Sequence, residues 1–225
     1  MKNAIVLCSG GIDSVTTAYY VKNKKYKKII ILFFDYGQKS LKRERECSRN
    51  CAKKLDAEFQ EIKLGWLGKI SSSLINKTSR IKKLGRKDLK DTRKESNRYY
   101  VPCRNTIFLV YALALAESRY IKNKEKFDIF TGFKNEGRES YPDTTKEFVR
   151  NMDKIARISG SRIIAPLIDK DKEDIIILGK KLEVDFKNTH SCYVKNKHCG
   201  CCLACMLRKE GFYWANEKDS TFYSE

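Results

Sequence analysis

The hexapeptide Ser9-Gly10-Gly11-Ile12-Asp13-Ser14 stands between a short apolar run, Ala4 to Cys8, and a mixed apolar stretch, Val15 to Val21, that suits a helix. That order reads as strand, tight loop, helix. Gly10 and Gly11 permit positive φ and remove side chains, so backbone N–H groups can approach an anion. Ser9 and Ser14 add hydroxyl donors, and the helix start adds the favourable end of its dipole. The segment lacks the Gly-Lys-Ser/Thr ending of a Walker loop and the third glycine of a dinucleotide fingerprint. It therefore reads as a phosphate cradle of another kind. An ordinary glycine turn capping a helix would explain Gly10, Gly11 and Ser14 but not the whole string.

The alternation of strand and helix repeats down the chain. Ile29 to Phe34 is a continuous apolar run, Ser40 to Leu55 is charged and helix-compatible, and Glu58 to Leu64 alternates as a strand does. Arg104 to Glu117 is apolar nearly all round, as a helix buried against a sheet is. Phe127 to Thr131 and Arg162 to Ala165 read as strands, Thr144 to Ile158 and Lys172 to Lys180 as helices. Strands alternating with helices imply an α/β fold: a doubly wound, mostly parallel, five-stranded Rossmann-like sheet. Leu74 to Arg98 is polar, basic and weakly patterned, and reads as an insertion or mobile loop within a region near 70–98. The 225 residues suit one α/β domain, 1–185, with a small cysteine-bearing segment, 186–225.

Lys and Arg number 47 against 28 Asp and Glu, a net charge of +19 that attracts phosphates or nucleic acid. The excess is diffuse. Only Lys82 to Lys94 is dense, and it is free of aromatics, so a solvated face is the expectation and nucleic acid is disfavoured as a partner. No run approaches the roughly 18 apolar residues of a membrane span, and the N-terminus lacks an export signal. The expectation is a soluble, cytoplasmic protein with no membrane partner.

Of nine cysteines, five (Cys192, Cys199, Cys201, Cys202, Cys205) crowd one tail segment. In a reducing compartment such clusters bind metal or act in redox chemistry. Cys192, Cys199, Cys202 and Cys205 can supply four soft ligands to a tetrahedral zinc, with no open position for catalysis. The register stays open: Cys201 could replace Cys202 or Cys199, and His198 or His190 could replace a thiolate.

The hexapeptide resembles the pyrophosphate loop of the N-type ATP pyrophosphatases, which adenylate a carbonyl or carboxyl oxygen. The resemblance implies that Ser9, Gly10, Gly11, Asp13 and Ser14 hold the departing phosphates, with Asp13 organising Mg²⁺. The whole chain resembles the 7-cyano-7-deazaguanine synthases of queuosine and archaeosine precursor synthesis. The matching segments are Leu7 to Ser14, Asp35-Tyr36-Gly37-Gln38, Val101 to Leu109, Ser140-Tyr141-Pro142-Asp143, Ala165 to Lys170, Ser191-Cys192-Tyr193, Cys199 to Cys205 and Leu207-Arg208. That family implies an adenine nucleotide alpha hydrolase type of fold, a homodimer, and ATP, Mg²⁺ and zinc as cofactors. It also implies a carbon–nitrogen ligase whose partners are a deazaguanine carboxylate and ammonia.

The candidate catalytic residues are Asp13, Arg104 and Lys172. Tyr36 and Gln38 follow the second strand, at the sheet edge where open α/β sheets bind ligands, and suit adenosine contacts. Arg104 and Asn105 open the buried helix and suit phosphate or an activated carboxylate. Tyr141 and Asp143 could offer an aromatic face and a carboxylate to a purine-like base. Lys172 is implied by the resemblance, although a lone lysine at a helix start is otherwise a solvated residue.

Three departures bear on the acceptor. Cys103 stands where the family usually has glycine, Gly137-Arg138-Glu139-Ser140 replaces an Asp-Tyr-Ser-Gly stretch, and Thr144 and Thr145 replace a Cys-Arg pair. They keep open a synthase-like paralogue that joins the activated deazaguanine to another acceptor, such as a protein in phage defence. A basic zinc-containing nucleic-acid module without catalysis is a third reading, opposed by the intact phosphate loop.

Overall fold

The computed structural model describes residues 2–77, 81–134 and 141–224. Gly137 to Ser140, and residues 78–80 of the basic region, lie outside the described residues. Five parallel strands form one sheet: β1 (Asn3–Leu7), β2 (Ile29–Asp35), β3 (Glu58–Lys63), β4 (Phe127–Thr131) and β5 (Ile163–Ile164), in the order β3-β2-β1-β4-β5. The chain winds outward from β1 through β2 to β3, then returns to place β4 on the other side of β1. The switch point therefore falls between β1 and β4, which pair from Asn3–Phe127 to Leu7–Thr131.

Both faces of β1, β2 and β4 are buried, which is why β1 and β2 read as continuous apolar runs, while the edge strand β3 is only half-buried and alternates. Along β1, Ala4, Val6 and Cys8 face α1 (Ile12–Asn23) and α2 (Leu41–Leu55), joining Val15, Ala18, Cys51 and Leu55. Ile5 and Leu7 face the opposite layer, joining Leu109, Ala112 and Ala116 of α5 (Arg104–Asn123) and Met152 and Ala156 of α6 (Lys146–Ile158). The period of two along one strand thus feeds two helical layers. Thr145, the residue before α6, accepts a hydrogen bond at Oγ1 from the Phe148 backbone N–H at 3.1 Å, so it caps the helix.

Beyond α1 lie α7 (Lys172–Lys181) and α8 (Leu203–Trp214), packed through Ile175, Ile176 and Phe212 around Ile12 and Leu167. The local sequence pattern does not announce α8, nor the short helices α3 (Gly65–Ile70) and α4 (Arg93–Asn97). Gly211, inside α8, reads as a breaker. In the fold it is a contact point: a methyl group there would lie 2.3 Å from Lys172 Cγ. The basic region also differs from a mobile insertion. Leu74, Ile75 and Leu84 are buried in the main core, and the Leu84 N–H donates to the Cys201 carbonyl at 2.9 Å.

Cys103, just before α5, has φ 54°, in the left-handed region where a side chain is strained and glycine is not. This gives a physical reason for glycine at that place. Replacing Cys103 with glycine is expected to leave stability unchanged or raise it by up to about 1 kcal/mol, whereas Cys103→Val, β-branched, lowers it by about 1 kcal/mol or more. Urea denaturation of the three proteins reads the difference; an equal loss in both variants would contradict it.

Candidate active site

A cleft of about 270 Å³ opens at the carboxyl ends of β1 and β4. Its floor is the loop from Cys8 to Gly11 and the first turn of α1. Gly10 carries φ +78°, and a methyl group on it would meet Cys47 Cβ and the Glu44 carbonyl of α2, both at 2.7 Å. Gly11 does not use the freedom expected of it: its φ of −78° is ordinary, and it serves as the residue before α1. What Gly11 provides is a backbone without side chain beside the helix N-terminus. Ser14 Oγ donates to the Gly11 carbonyl at 3.1 Å and lies 3.4 Å from Ser9 Oγ, so both hydroxyls belong to the loop's own network.

Asp13 and Lys172 form a two-oxygen ion pair, Nζ lying 2.6 and 2.7 Å from the carboxylate oxygens. The pair is about three-quarters buried. Lys172 reaches Asp13 because its stem lies across Gly211 of α8, so the lysine at a helix start is a cleft residue rather than a solvated one. On the other side Gly132, just past β4, presses on the loop: a methyl group there would lie 2.8 Å from the Asp13 carbonyl carbon and the Ser14 nitrogen.

Arg104, at the start of α5, points Nη1 toward Tyr36 Oη at 3.4 Å and Nε toward Asn105 Oδ1 at 3.3 Å. Tyr36 is buried against Phe108, and burial pushes its hydroxyl up to about 12, so it stays a neutral donor. Gln38 is buried too. Its amide accepts from the Tyr36 N–H at 2.9 Å and donates to the Phe34 carbonyl at 2.9 Å and to Glu44 at 3.0 Å. All of these bonds shape the turn that presents Tyr36.

Asp143 accepts from the Asn105 N–H at 3.3 Å, and Asn105 Nδ2 donates back to the Asp143 carbonyl at 3.2 Å. A carboxylate there complements the positive end of α5. Burial raises the carboxyl pKa of both Asp143 and Glu44, while Arg104, facing each of them, pulls the other way. Tyr141 lines the cleft and packs against Tyr100 with ring centroids 6.5 Å apart. Glu44, Gly132 and Lys134 also stand at the cleft, and no motif in the sequence singles them out. The available signal is position: Gly132 and Lys134 immediately follow an apolar strand, at the ligand-binding edge of the sheet.

The tail cysteines gather into one group. The Sγ atoms of Cys192, Cys199, Cys202 and Cys205 lie within 4.8 Å of one another and all four residues are buried. Among the described residues no histidine joins them: His198 Nε2 accepts from the Ser191 N–H at 3.1 Å, and His190 Nε2 lies 2.9 Å from the Lys195 carbonyl. Cys201 lies outside the group and is half-exposed. Four buried soft donors at such separations fit a tetrahedral zinc with no open position. Purified protein is expected to carry close to one zinc per chain. Cys201→Ser should leave that content unchanged, and Ser at any of the other four should lower it, as measured by elemental analysis.

Comparison with known proteins places the chain's sequence in a family. The family model described as queuosine biosynthesis protein QueC matches residues 3–216. A 7-cyano-7-deazaguanine synthase of Methanobrevibacter smithii is 34% identical over 232 residues, covering 100% of this chain and 99% of the relative. Synthases of the same name from Nitratiruptor sp. and Syntrophus aciditrophicus are each 38% identical, over 98% of this chain and 98% and 97% of their own lengths. A solved NMN synthetase from Francisella tularensis shares 16% identity at a TM-score of 0.47, covering 97% of this chain and 79% of its own, too remote a likeness to carry an argument.

Proposed function

The chain belongs to the queuosine biosynthesis protein QueC family, and from that premise we propose that it uses ATP to convert 7-carboxy-7-deazaguanine and ammonia into 7-cyano-7-deazaguanine. The observation that carries the reading is the meeting of three features at the β1–β4 switch point. These are the amide loop of Ser9 to Gly11, the Asp13–Lys172 pair and the Arg104 guanidinium, all lining one cleft.

A carboxylate is a poor electrophile because its leaving group would be hydroxide or oxide. In the proposed reaction a carboxylate oxygen of the acceptor attacks the α-phosphorus of ATP, and pyrophosphate leaves. Ammonia then adds to the acyl carbon and AMP leaves, giving the amide. A second ATP adenylates the amide oxygen; loss of that oxygen with AMP, and of the remaining protons from nitrogen, gives the nitrile. Two ATP become two AMP and two pyrophosphate.

The chain's own contribution is placement and charge. The loop amides and the N-terminal dipole of α1 suit the departing pyrophosphate. Tyr36, beside β2, suits the nucleoside, and Arg104 lies within reach of the developing charge on the acyl oxygen or α-phosphate. Phe133, Lys134, Tyr141 and Thr144 line the end of the cleft beyond β4 and suit the deazaguanine carboxylate. Mg²⁺ would be held by Asp13 together with substrate phosphates, which requires Lys172, bonded to both carboxylate oxygens in this structure, to turn toward those phosphates; when bound the ion would neutralise charge on them. The zinc would be held by Cys192, Cys199, Cys202 and Cys205, where its chemistry is structural. Cys103 is exposed and lies at the helix start, and the reaction as written requires no protein nucleophile.

Thr144, one of the departures from the family pattern, lines the acceptor end. For this reason a second acceptor in place of ammonia stays in view, and the product decides. Incubation with the carboxylate, ATP, Mg²⁺ and ammonia is expected to release AMP and pyrophosphate and to yield a product with the mass of the free nitrile. An amide adduct to another molecule would favour the alternative, and absence of both AMP and pyrophosphate would defeat adenylation. Asp13→Ala is expected to lower turnover by about 100-fold or more.

A further inference from the structure

Arg208 is 1% exposed, and its guanidinium is bonded on every side. Nε and Nη2 donate to the two Asp219 oxygens at 3.0 and 3.1 Å, and Nη2 also donates to the Phe186 carbonyl at 3.1 Å. Nη1 donates to Thr189 Oγ1 at 2.8 Å and to Ser191 Oγ at 3.3 Å. Asp219 is itself held by the Tyr223 hydroxyl at 2.5 Å and the Thr221 N–H at 3.1 Å. A buried charge this fully satisfied specifies one geometry for everything it touches.

Those partners adjoin the phosphate loop. Thr189 and Ser191 flank His190, and the His190 backbone N–H donates to the Gly10 carbonyl at 2.8 Å. The peptide unit joining Gly10 to Gly11 is planar and trans, so its C=O and N–H point in opposite directions. Fixing the Gly10 carbonyl on His190 therefore directs the Gly11 N–H away from the tail. Gly11 lines the cleft and stands at the positive end of α1. The orientation of an amide beside the cleft is thus set from outside the loop, by residues of the tail that line the same cleft. It is set by a strap whose two flanking hydroxyls both accept from Arg208.

We propose that Arg208 is a positioning residue for pyrophosphate recognition: through the Thr189-His190-Ser191 strap it holds the Gly10–Gly11 peptide with its N–H toward the β- and γ-phosphates. This deepens the reading of the cleft as an ATP site and rests on it. Arg208 lies three residues beyond Cys205 on α8, and Ser191 of the strap directly precedes Cys192, so the strap adjoins two of the four cysteines. The cysteine-bearing segment thus meets the loop through the His190 N–H, and Arg208 holds the two residues that flank it.

The test separates positioning from general stability. Dissociation constants for inorganic pyrophosphate, ATP and AMP are measured by calorimetry on zinc-loaded wild-type protein, Arg208→Lys and Thr189→Val. The second variant keeps the Arg208–Asp219 pair and removes only one hydroxyl, so it is the variant to rely on should Arg208→Lys fail to fold. Both are expected to weaken pyrophosphate and ATP by about 10-fold while AMP, which lacks the β- and γ-phosphates, changes by less than about 2-fold. Thr189→Val that binds all three ligands as the wild type does, or that weakens all three alike, would overturn the proposal. Wild-type protein that binds ATP no better than AMP, and pyrophosphate not at all, would defeat the functional reading itself and the proposal with it.

Discussion

The cleft depends on the close packing of the backbone around Gly10 and the first turn of α1. Three elements from distant parts of the chain press on this short stretch with no room for a methyl group at two places. Gly10 meets α2 at 2.7 Å, and Gly132, beyond β4, meets Asp13 and Ser14 at 2.8 Å. From the tail, His190 donates to the Gly10 carbonyl. Close contacts of this kind hold the loop's amides in place before any ligand arrives, which is the condition under which hydrogen-bond donors act on developing charge without reorganising.

Charge in the cleft is arranged with the same economy. Lys172 is matched to Asp13, and Arg104 faces both Glu44 and Asp143, whose buried carboxyls are pushed upward by the loss of solvent and pulled back by that guanidinium. Each of these two cations thus stands near carboxyl groups that offset its loss of solvent. Glu44, on α2, is held by Ser40 and Gln38, and Asp143, in the turn before α6, accepts from the Asn105 N–H, so each carboxyl has its own hydrogen-bond partners while Arg104 acts on both through its charge.

Much of this was legible in the sequence, and the remainder was hidden for identifiable reasons. Strands β1 and β2 announced themselves as apolar runs because both their faces are buried, whereas β3, at the edge, was legible from its alternation. The loop was legible because it follows the first of them. α8 was not, since its interior Gly211 and the cysteines at and before its start argue against a helix when read locally; Gly211 is needed there because the stem of Lys172 and the Ile176 side chain, both from α7, press on it. α3 was hidden for a similar reason. A methyl group on its Gly68 would lie 2.3 Å from the Tyr36 carbonyl, a contact made by residues far apart in the chain. Gln38 was legible as belonging to the cleft edge, but not that its whole amide turns inward to Tyr36, Phe34 and Glu44. The four metal-ligating candidates could be named from spacing, while the choice among Cys199, Cys201 and Cys202 required the folded backbone that brings four sulfurs within 4.8 Å.

The chemistry turns on whether this loop holds the diphosphate that leaves when an acceptor oxygen attacks the α-phosphorus. The decisive measurement is turnover of the carboxylate labelled with ¹⁸O in its carboxyl group, followed by mass analysis of the phosphate-containing products. Attack at the α-phosphorus puts the label in AMP and none in pyrophosphate, which is the expected result. Formation of ADP with the label in inorganic phosphate would place the attack at the γ-phosphorus and contradict it.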